Sequence, residues 1–193
     1  FDIVLLIIAA PAMLFTDSHT ALFLAGMIVS PVVHLFTVTA VLWAFTPVLG
    51  TRGAFFAAAL TITQPSIQSF AILGHADHHM MFVLTGIMTL GLFIRLNNME
   101  NPKPEKTAFL FGLAISSGIW VGPEFLIFAL ITMSFAAMPW ITGRPGADKN
   151  NLLIALGLFC GLSAVLLTER SYTDLLVVEY DQLSILHVNF AAF

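Results

Sequence analysis

Charged residues are scarce in this sequence, at only 9% of its 193 residues, whereas hydrophobic residues make up 59%. A soluble globular domain usually carries about 25% charged residues, so the composition excludes that class and indicates an integral membrane protein. There is one cysteine, Cys160, which rules out an intrachain disulfide and leaves the redox compartment open. Alternation of apolar and polar residues is also missing, which disfavours membrane-spanning strands.

Long apolar runs fill most of the chain, and they are about as long as the ~20 residues that a membrane-spanning helix needs. They predict an all-α, polytopic transmembrane bundle with about seven or eight spans, in a single transmembrane domain over residues 1–193. Because the chain opens and closes inside apolar runs, we expect it to be part of a longer polypeptide. The predicted spans cover residues 3–15, 21–49, 54–72, 80–96, 107–121, 125–141, 152–167 and a last one from about 183.

Basic residues lie on one side of the predicted bundle. Six of the seven Lys and Arg fall in the turn 50–53 and the loops 95–106 and 142–151, and only Arg170 falls on the other side. By the positive-inside rule the first side is cytoplasmic, so the second side is the outer face. Most acidic residues then lie on the outer face, namely Asp17, Asp77, Glu124, Glu169, Asp174, Glu179 and Asp181.

A polar segment, Gly74–His79, separates two apolar runs and holds three histidines and one aspartate. Such groups are unfavourable at a membrane boundary unless they are paired, solvated or bound to an ion. In an extended segment, Asp77 and His79 point to the same side and can chelate one divalent ion, while His78 faces elsewhere. In the simpler interpretation, Asp77 caps the following helix and the imidazoles lie near the lipid headgroups.

The element HADHH, residues 75–79, follows one predicted span and opens the next. It resembles the second acidic motif of the GT-C membrane glycosyltransferases, in the Asp-His-His form of archaeal oligosaccharyltransferase catalytic subunits and related bacterial proteins. The element WVGPE, residues 120–124, resembles a Trp-Gly element of those subunits. The acidic segment 168–182 lies where that family has a long external loop bearing active-site groups.

The resemblance implies a GT-C-like fold that moves a sugar or oligosaccharide from a polyprenyl-phosphate-linked donor on the outer face of a bacterial or archaeal plasma membrane. It implies that Asp77 and His79 ligate a catalytic divalent cation, with Asp77 counted as catalytic and His78 as substrate-binding. Mg²⁺ or Mn²⁺ is expected with oxygen ligands and one imidazole, whereas two or more imidazoles favour Zn²⁺. The family's Trp-Trp-Asp acceptor motif is absent from the chain, so the acceptor stays open.

Two further residues are candidates for chemistry. Arg170 is the one outer cation, and it can bind a phosphate oxygen of the donor or form an ion pair with Glu169 or Asp174. Glu124 follows Gly-Pro at a predicted helix end, where it is a candidate catalytic base or further ligand, or a solvated turn residue.

Two other classes of protein compete with the enzyme. A transporter or channel would use polar residues inside the spans, and His34, Gln64 and Gln68 lie there. A non-catalytic membrane subunit would keep the helices without the chemistry. Because most ionisable residues fall at span ends, the pattern favours an interfacial enzyme. The expected partners are membrane lipid, the lipid-linked donor and other membrane subunits, with no nucleic acid.

Overall fold

The computed structural model of the chain describes residues 2–98, 102–179 and 182–192. Across these ranges the chain is all-helical and has no strand, which confirms the all-α part of the predicted fold class, while the GT-C-like fold stays a prediction. A short 3-10 turn, Ala12–Leu14, follows the first helix. The helices are α1 (Asp2–Ala9), α2 (Ser18–Thr63), α3 (Pro65–Phe70), α4 (His79–Asn97), α5 (Pro104–Val121), α6 (Phe125–Ile141), α7 (Ala147–Glu169) and α8 (Ile185–Ala192).

Two residues explain where the long α2 is interrupted and where it ends. Gly50 has φ 66° and ψ 175°, a backbone conformation open essentially to glycine alone, and it breaks the helical geometry inside the predicted turn 50–53. Pro65 lacks an amide donor and forces Gln64 into extended backbone, so α2 ends at Thr63. The span predicted over 54–72 is therefore divided between the end of α2 and α3.

Three of the described helices, α2, α4 and α7, are long and apolar enough to cross a membrane. α6 is also apolar but shorter. These helices are compatible with the predicted membrane protein. The total of about seven or eight spans and the orientation from the Lys and Arg distribution stay predictions.

Contacts divide the chain into two compact units, residues 1–84 and 85–193. In the first unit, α1 packs against the start of α2 through Ala9, Ala21 and Ala25. Further along α2, Val29 and Val33 pack around the fully buried Met80. Met80 follows the polar segment Gly74–His79 directly, so this core fixes the chain immediately after that segment. The expectation of a single domain over 1–193 stays a prediction.

In the second unit, α5 and α7 form the most extensive helix pair. Their backbones approach so closely that a Cβ atom on Gly157 would lie 2.2 Å from the carbonyl oxygen of Phe109. A Cβ atom on Gly161 would lie 1.9 Å from the hydroxyl of Ser116. Small residues four apart are typical of membrane helices that pack backbone against backbone. The pair therefore depends on the absence of side chains at these positions.

Candidate functional site

The polar segment Gly74–His79 connects α3 to α4 and is anchored on α2. Gly74 takes φ 81°, a left-handed conformation that favours glycine. Its amide donates to the carbonyl oxygen of Met27 at 2.9 Å. The buried hydroxyl of Ser30 donates to the carbonyl oxygen of His75. Since Met27 and Ser30 lie one helical turn apart on α2, that helix holds the segment in place before α4 begins.

The carboxylate of Asp77 lies among three imidazoles. Its Oδ1 is 2.7 Å from Nδ1 of His79 and 2.9 Å from Nδ1 of His78. Its Oδ2 is 3.4 Å from Nε2 of His75. One potential ligand atom from each of Asp77, His78 and His79 lies within 4.8 Å of the others. Ligands about 2.0–2.2 Å from one ion would have such spacing, so the three residues form a candidate metal centre, called the Asp77 cluster below.

The Asp77 cluster is open to solvent. The exposed fraction of the side chain is 24% for Asp77, 41% for His78 and 47% for His79. Contacts between such exposed polar groups add little to folding stability, because water competes for both partners. The same exposure leaves the imidazoles accessible to an ion or to a polar ligand.

Aromatic contacts fix the orientation of the imidazole rings. The ring of His79 stacks on Phe70, with the centroids 4.5 Å apart and the planes within 7° of parallel. The ring of His75 meets Phe70 edge to face at 5.9 Å. The rings of His78 and His79 lie 4.6 Å apart. Phe70 was not among the residues predicted from the sequence, although its place as the last aromatic residue before the polar segment was a usable signal.

Hydrogen bonds keep the Asp77 carboxyl ionised. Burial raises its pKa, but the hydrogen bonds from the ring and amide of His79, with the charges of His79 and His78, outweigh burial and lower the pKa. The carboxyl is therefore charged at neutral pH, which is the form that binds a cation.

The structure brings Asp77 and His79 together, as their spacing predicts, but the expectation that His78 faces elsewhere is wrong. The segment is not extended at this point, because the amide of Asp77 donates to the carbonyl oxygen of His75 at 2.9 Å and α4 begins at His79. This turn swings His78 towards the carboxylate. The capping interpretation also holds in part, since the amide of His79 lies 3.4 Å from Asp77 Oδ1. The metal-binding and catalytic roles stay predictions.

Glu124 lies in the second unit, in the short turn between α5 and α6. It precedes the first residue of α6 and its side chain is exposed. The turn predicted around Gly122-Pro123 is present, and α5 ends at Val121. The role of Glu124 as a base or a ligand stays a prediction.

Arg170 follows α7 and is held by its own segment. Its guanidinium forms an ion pair with Glu179 and donates to the carbonyl oxygen of Leu183 from Nε at 3.2 Å and from a terminal nitrogen at 3.0 Å. The hydrogen bond to Glu179 is the main cause that raises the pKa of Arg170. Of the two predicted alternatives, the structure favours an ion pair over a free cation, with Glu179 as the partner in place of Glu169 or Asp174.

The other described acids of the segment 168–182 also have partners. Glu169 accepts a hydrogen bond from Nε1 of Trp120 at 2.6 Å. Asp174 accepts one from the hydroxyl of Ser171 at 2.7 Å. The Trp120–Glu169 contact was missed from the sequence, although the alternation of helix ends placed both residues on the same side. Tyr180 and Asp181 lie outside the described residues, so the expectation that Asp181 adds to the acidic segment has no structural description.

A second polar feature lies in the first unit, at the break before Pro65. An open cleft of about 590 Å³ is lined by His34, Gln68 and Ser69 together with apolar residues. Gln68 donates to the carbonyl oxygen of Ile62 at 2.7 Å, while Nδ1 of His34 is buried and has no hydrogen-bond partner within the described residues. This cleft is the feature that a transporter interpretation would use.

No family model, curated protein or solved structure matches the chain. Function is therefore argued from the chemistry of the residues themselves.

Proposed function

We propose that the chain is a membrane glycosyltransferase of the GT-C type that takes a sugar from a polyprenyl-phosphate-linked donor with the help of a divalent cation at the Asp77 cluster. One observation carries the proposal. A carboxylate oxygen and two imidazole nitrogens converge at the first turn of α4, a helix apolar enough to cross a membrane. The resemblance of residues 75–79 to the GT-C motif supplies the reaction class.

The donor set fits a divalent cation. Asp77 contributes an ionised oxygen, and His78 and His79 contribute imidazole nitrogens on the same side of it. Carboxylate and imidazole are the commonest protein ligands for such ions. When bound, a divalent cation neutralises negative charge on a phosphate leaving group. Because the cluster immediately precedes an apolar helix, we expect it at the level of the lipid headgroups, where a lipid-linked donor carries its phosphate.

The other predicted site residues take different parts in this proposal. His78 moves from substrate binding to ion binding, because its Nδ1 faces the carboxylate of Asp77. Glu124 is the candidate base, since it is exposed and ahead of α6. Arg170 holds the outer segment, and a donor phosphate would first have to displace the Glu179 carboxylate before it bound the guanidinium.

The competing functions make different use of the same chain. A transporter would depend on the cleft at His34, but the residues of the Asp77 cluster lie at the very start of α4 or just before it, not in the middle of the helix. That distribution supports an interfacial enzyme over a path through the membrane. A non-catalytic subunit of a membrane complex would keep the fold and need no ion.

The direct test is Asp77→Asn in the full chain, reconstituted in vesicles with a polyprenyl-phosphate-linked sugar as donor. This change keeps the size of the side chain and removes its charge. We expect transfer to fall by about 100-fold or more, because the loss of a ligand exceeds the 10- to 100-fold cost of losing a supporting residue. Transfer is measured as the release of labelled sugar from the donor.

Asp17→Asn is the matched control. Asp17 also precedes a helix of the first unit and accepts hydrogen bonds from Thr20, at 3.0 Å from the amide and 2.6 Å from the hydroxyl. It has no imidazole cluster around it, so we expect its variant to keep near-normal transfer. If the Asp77 variant inserted normally and kept the same transfer as the control, the glycosyltransferase proposal would be wrong and the non-catalytic subunit would lead.

A further inference from the structure

We propose that Phe70 and His75 are positioning residues of the Asp77 cluster, which shape it for a transition ion such as Zn²⁺ or Co²⁺ rather than for Mg²⁺. The inference rests on the ion site of the proposed function and adds the residues that orient its ligands. Neither residue belongs to the three whose ligand atoms converge, and each touches at least one of them.

His75 contacts one oxygen of the Asp77 carboxylate, and His78 and His79 contact the other. Its Nε2 lies 3.4 Å from Oδ2, on the opposite oxygen from the one that faces His78 and His79. The backbone of His75 is itself held, because its carbonyl accepts a hydrogen bond from the buried Ser30. With Oδ2 engaged, only Oδ1 is directed at the two Nδ1 atoms. A supporting residue that contacts a ligand in this way orients the ligand and tunes its basicity.

Phe70 holds the rings of two histidines at once. One face of the phenyl ring stacks on His79 at 4.5 Å, and His75 lies against the same residue at 5.9 Å. Parallel and edge-to-face contacts at these distances are the favoured arrangements of aromatic pairs. Phe70 is in turn packed against the core of Val29, Val33 and Met80. The position of His79 is therefore fixed by a buried apolar core and not by the exposed segment alone.

This geometry decides the class of ion. The oriented donor set is one carboxylate oxygen and two imidazole nitrogens. Mg²⁺ demands near-octahedral oxygen ligands and keeps most of its water, whereas imidazole suits Zn²⁺ and its neighbours among the transition ions. The expectation of Mg²⁺ or Mn²⁺ assumed one imidazole. The structure places two beside the carboxylate, which favours a transition ion.

The test measures Co²⁺ binding to the full chain in detergent micelles. Co²⁺ replaces Zn²⁺ in such sites and gives a visible absorption spectrum that reports the number and geometry of its ligands. We expect the wild-type chain to show this spectrum, and a 100-fold excess of Mg²⁺ to leave it unchanged. Displacement of Co²⁺ by Mg²⁺ at comparable concentrations would overturn the assignment of the ion class.

Phe70→Leu keeps an apolar side chain in the core but removes the aromatic ring. We expect the Co²⁺ affinity to fall by about 10-fold and the spectrum to change, because His79 is no longer held. Phe70→Tyr keeps the ring and should restore both the affinity and the spectrum. Phe55→Leu is the matched control, since Phe55 is an exposed phenylalanine of α2 whose ring contacts that of Phe56.

His75→Ala tests the second positioning residue, and we expect a similar loss of about 10-fold that His75→Gln partly restores through a new hydrogen bond to the carboxylate. Helical content by circular dichroism shows which variants fold, and if Phe70→Leu does not fold, His75→Ala decides alone. A wild-type chain that binds no Co²⁺ would refute the ion site of the proposed function. Binding by wild type with equal affinity and spectrum in both variants would refute the positioning roles and leave the ion site standing.

Discussion

The polar segment Gly74–His79 and the outer segment 168–182 look alike in sequence, since each follows an apolar run and carries at least one acidic residue beside one or more cationic or titratable groups. In the first, one carboxylate collects several partners, and Asp77 Oδ1 alone faces two imidazole nitrogens. In the second, the described acids accept hydrogen bonds from different partners, as Glu169 does from Trp120.

This difference in hydrogen-bond partners distinguishes a candidate binding site from a segment whose polar contacts only hold the fold together. Groups that share one centre keep unused donor and acceptor capacity pointed at a common space, and an ion can enter that space. Within the described residues, the acids of the segment 168–182 have different partners and form no such group. Counting acids along the sequence does not distinguish the two cases, whereas the number of partners per carboxylate does.

Of the changes that test this comparison, we expect Gly157→Ala to have the largest effect, which is a loss of folding stability. The new methyl group would clash with the carbonyl oxygen of Phe109, which lies only 2.2 Å from its place. Overpacking of this kind costs about 1–3 kcal/mol. Because α5 carries Trp120 and α7 carries Glu169, we expect their hydrogen bond to weaken and the outer segment to loosen. The midpoint of thermal unfolding and the hydrogen exchange of residues 171–179 report both effects.

The Co²⁺ affinity of the Asp77 cluster shows whether Gly157→Ala affects the second unit alone. The contacts described above for the Asp77 cluster are all with residues of the first unit, so we expect its Co²⁺ affinity to stay unchanged in Gly157→Ala. Ala164→Gly, a change on the same helix away from the close approach, controls for the helix propensity of the substitution. If Gly157→Ala had the same unfolding midpoint as the unaltered chain, the backbone-to-backbone packing of α5 and α7 would be contradicted.

A smaller effect is expected from Arg170→Ala. The guanidinium ties Glu179 and the carbonyl of Leu183 to the end of α7, and hydrogen bonds to a charged group contribute about 1.5–3 kcal/mol when buried and less when exposed. We expect amide exchange in residues 171–184 to rise by roughly 10-fold for a loss near 1.4 kcal/mol. Arg170→Lys should restore only part of it, because lysine cannot form the same fork of hydrogen bonds.

Sugar transfer separates the two interpretations of Arg170. If Arg170 only holds the segment, the lysine variant should recover transfer in proportion to the recovered protection. Loss of transfer with full recovery of protection would show that the guanidinium binds the donor phosphate, as the sequence alone had suggested.

The existence of the helices could be predicted from the sequence, because continuous apolar runs of membrane length leave little alternative to helix. The interruption at Gly50 also follows from local chemistry. The division of the third predicted span could not be weighed in advance, since proline is tolerated inside some membrane helices and ends others.

The candidate site was predictable only in part. Asp77 and His79 follow from their spacing, and the role of Gly74 follows from the turn it allows. The inward turn of His78 and the stacking of Phe70 depend on where α4 begins and how α3 packs on Val29 and Val33, which are tertiary effects. The ion-pair partner of Arg170 could not be predicted from the sequence either, because several acidic residues lie near it along the chain.

The smallest expected effect is a pH dependence that belongs to Asp77. Its pKa is lowered in the folded chain, so the unfolded chain binds a proton first as the pH falls. The stability that the carboxylate contributes is therefore present above the ordinary carboxyl pKa, about 3.9, and is lost as the pH falls through the lowered folded value. We expect Asp77→Asn to remove this part of the acid sensitivity.

The measurement is the thermal unfolding midpoint from pH 6 down to acid pH, with a chelator present so that no ion contributes. The exposed position of the cluster limits the change to a small fraction of the total acid sensitivity. An identical pH profile in wild type and Asp77→Asn would contradict the hydrogen bonds from His79 as the cause of the lowered pKa.

The break at Gly50 has a consequence for membrane thickness. An unbroken helix of 46 residues would be about 69 Å long at about 1.5 Å per residue, more than twice the ~30 Å of hydrocarbon in a bilayer. No modest tilt accommodates such a rod. One residue with φ 66° divides it into a longer segment of about 48 Å before Gly50 and a shorter one of about 20 Å after it, with Arg52 just beyond the division. The length of the longest straight rod in α2 is thus decided at a single position without a side chain.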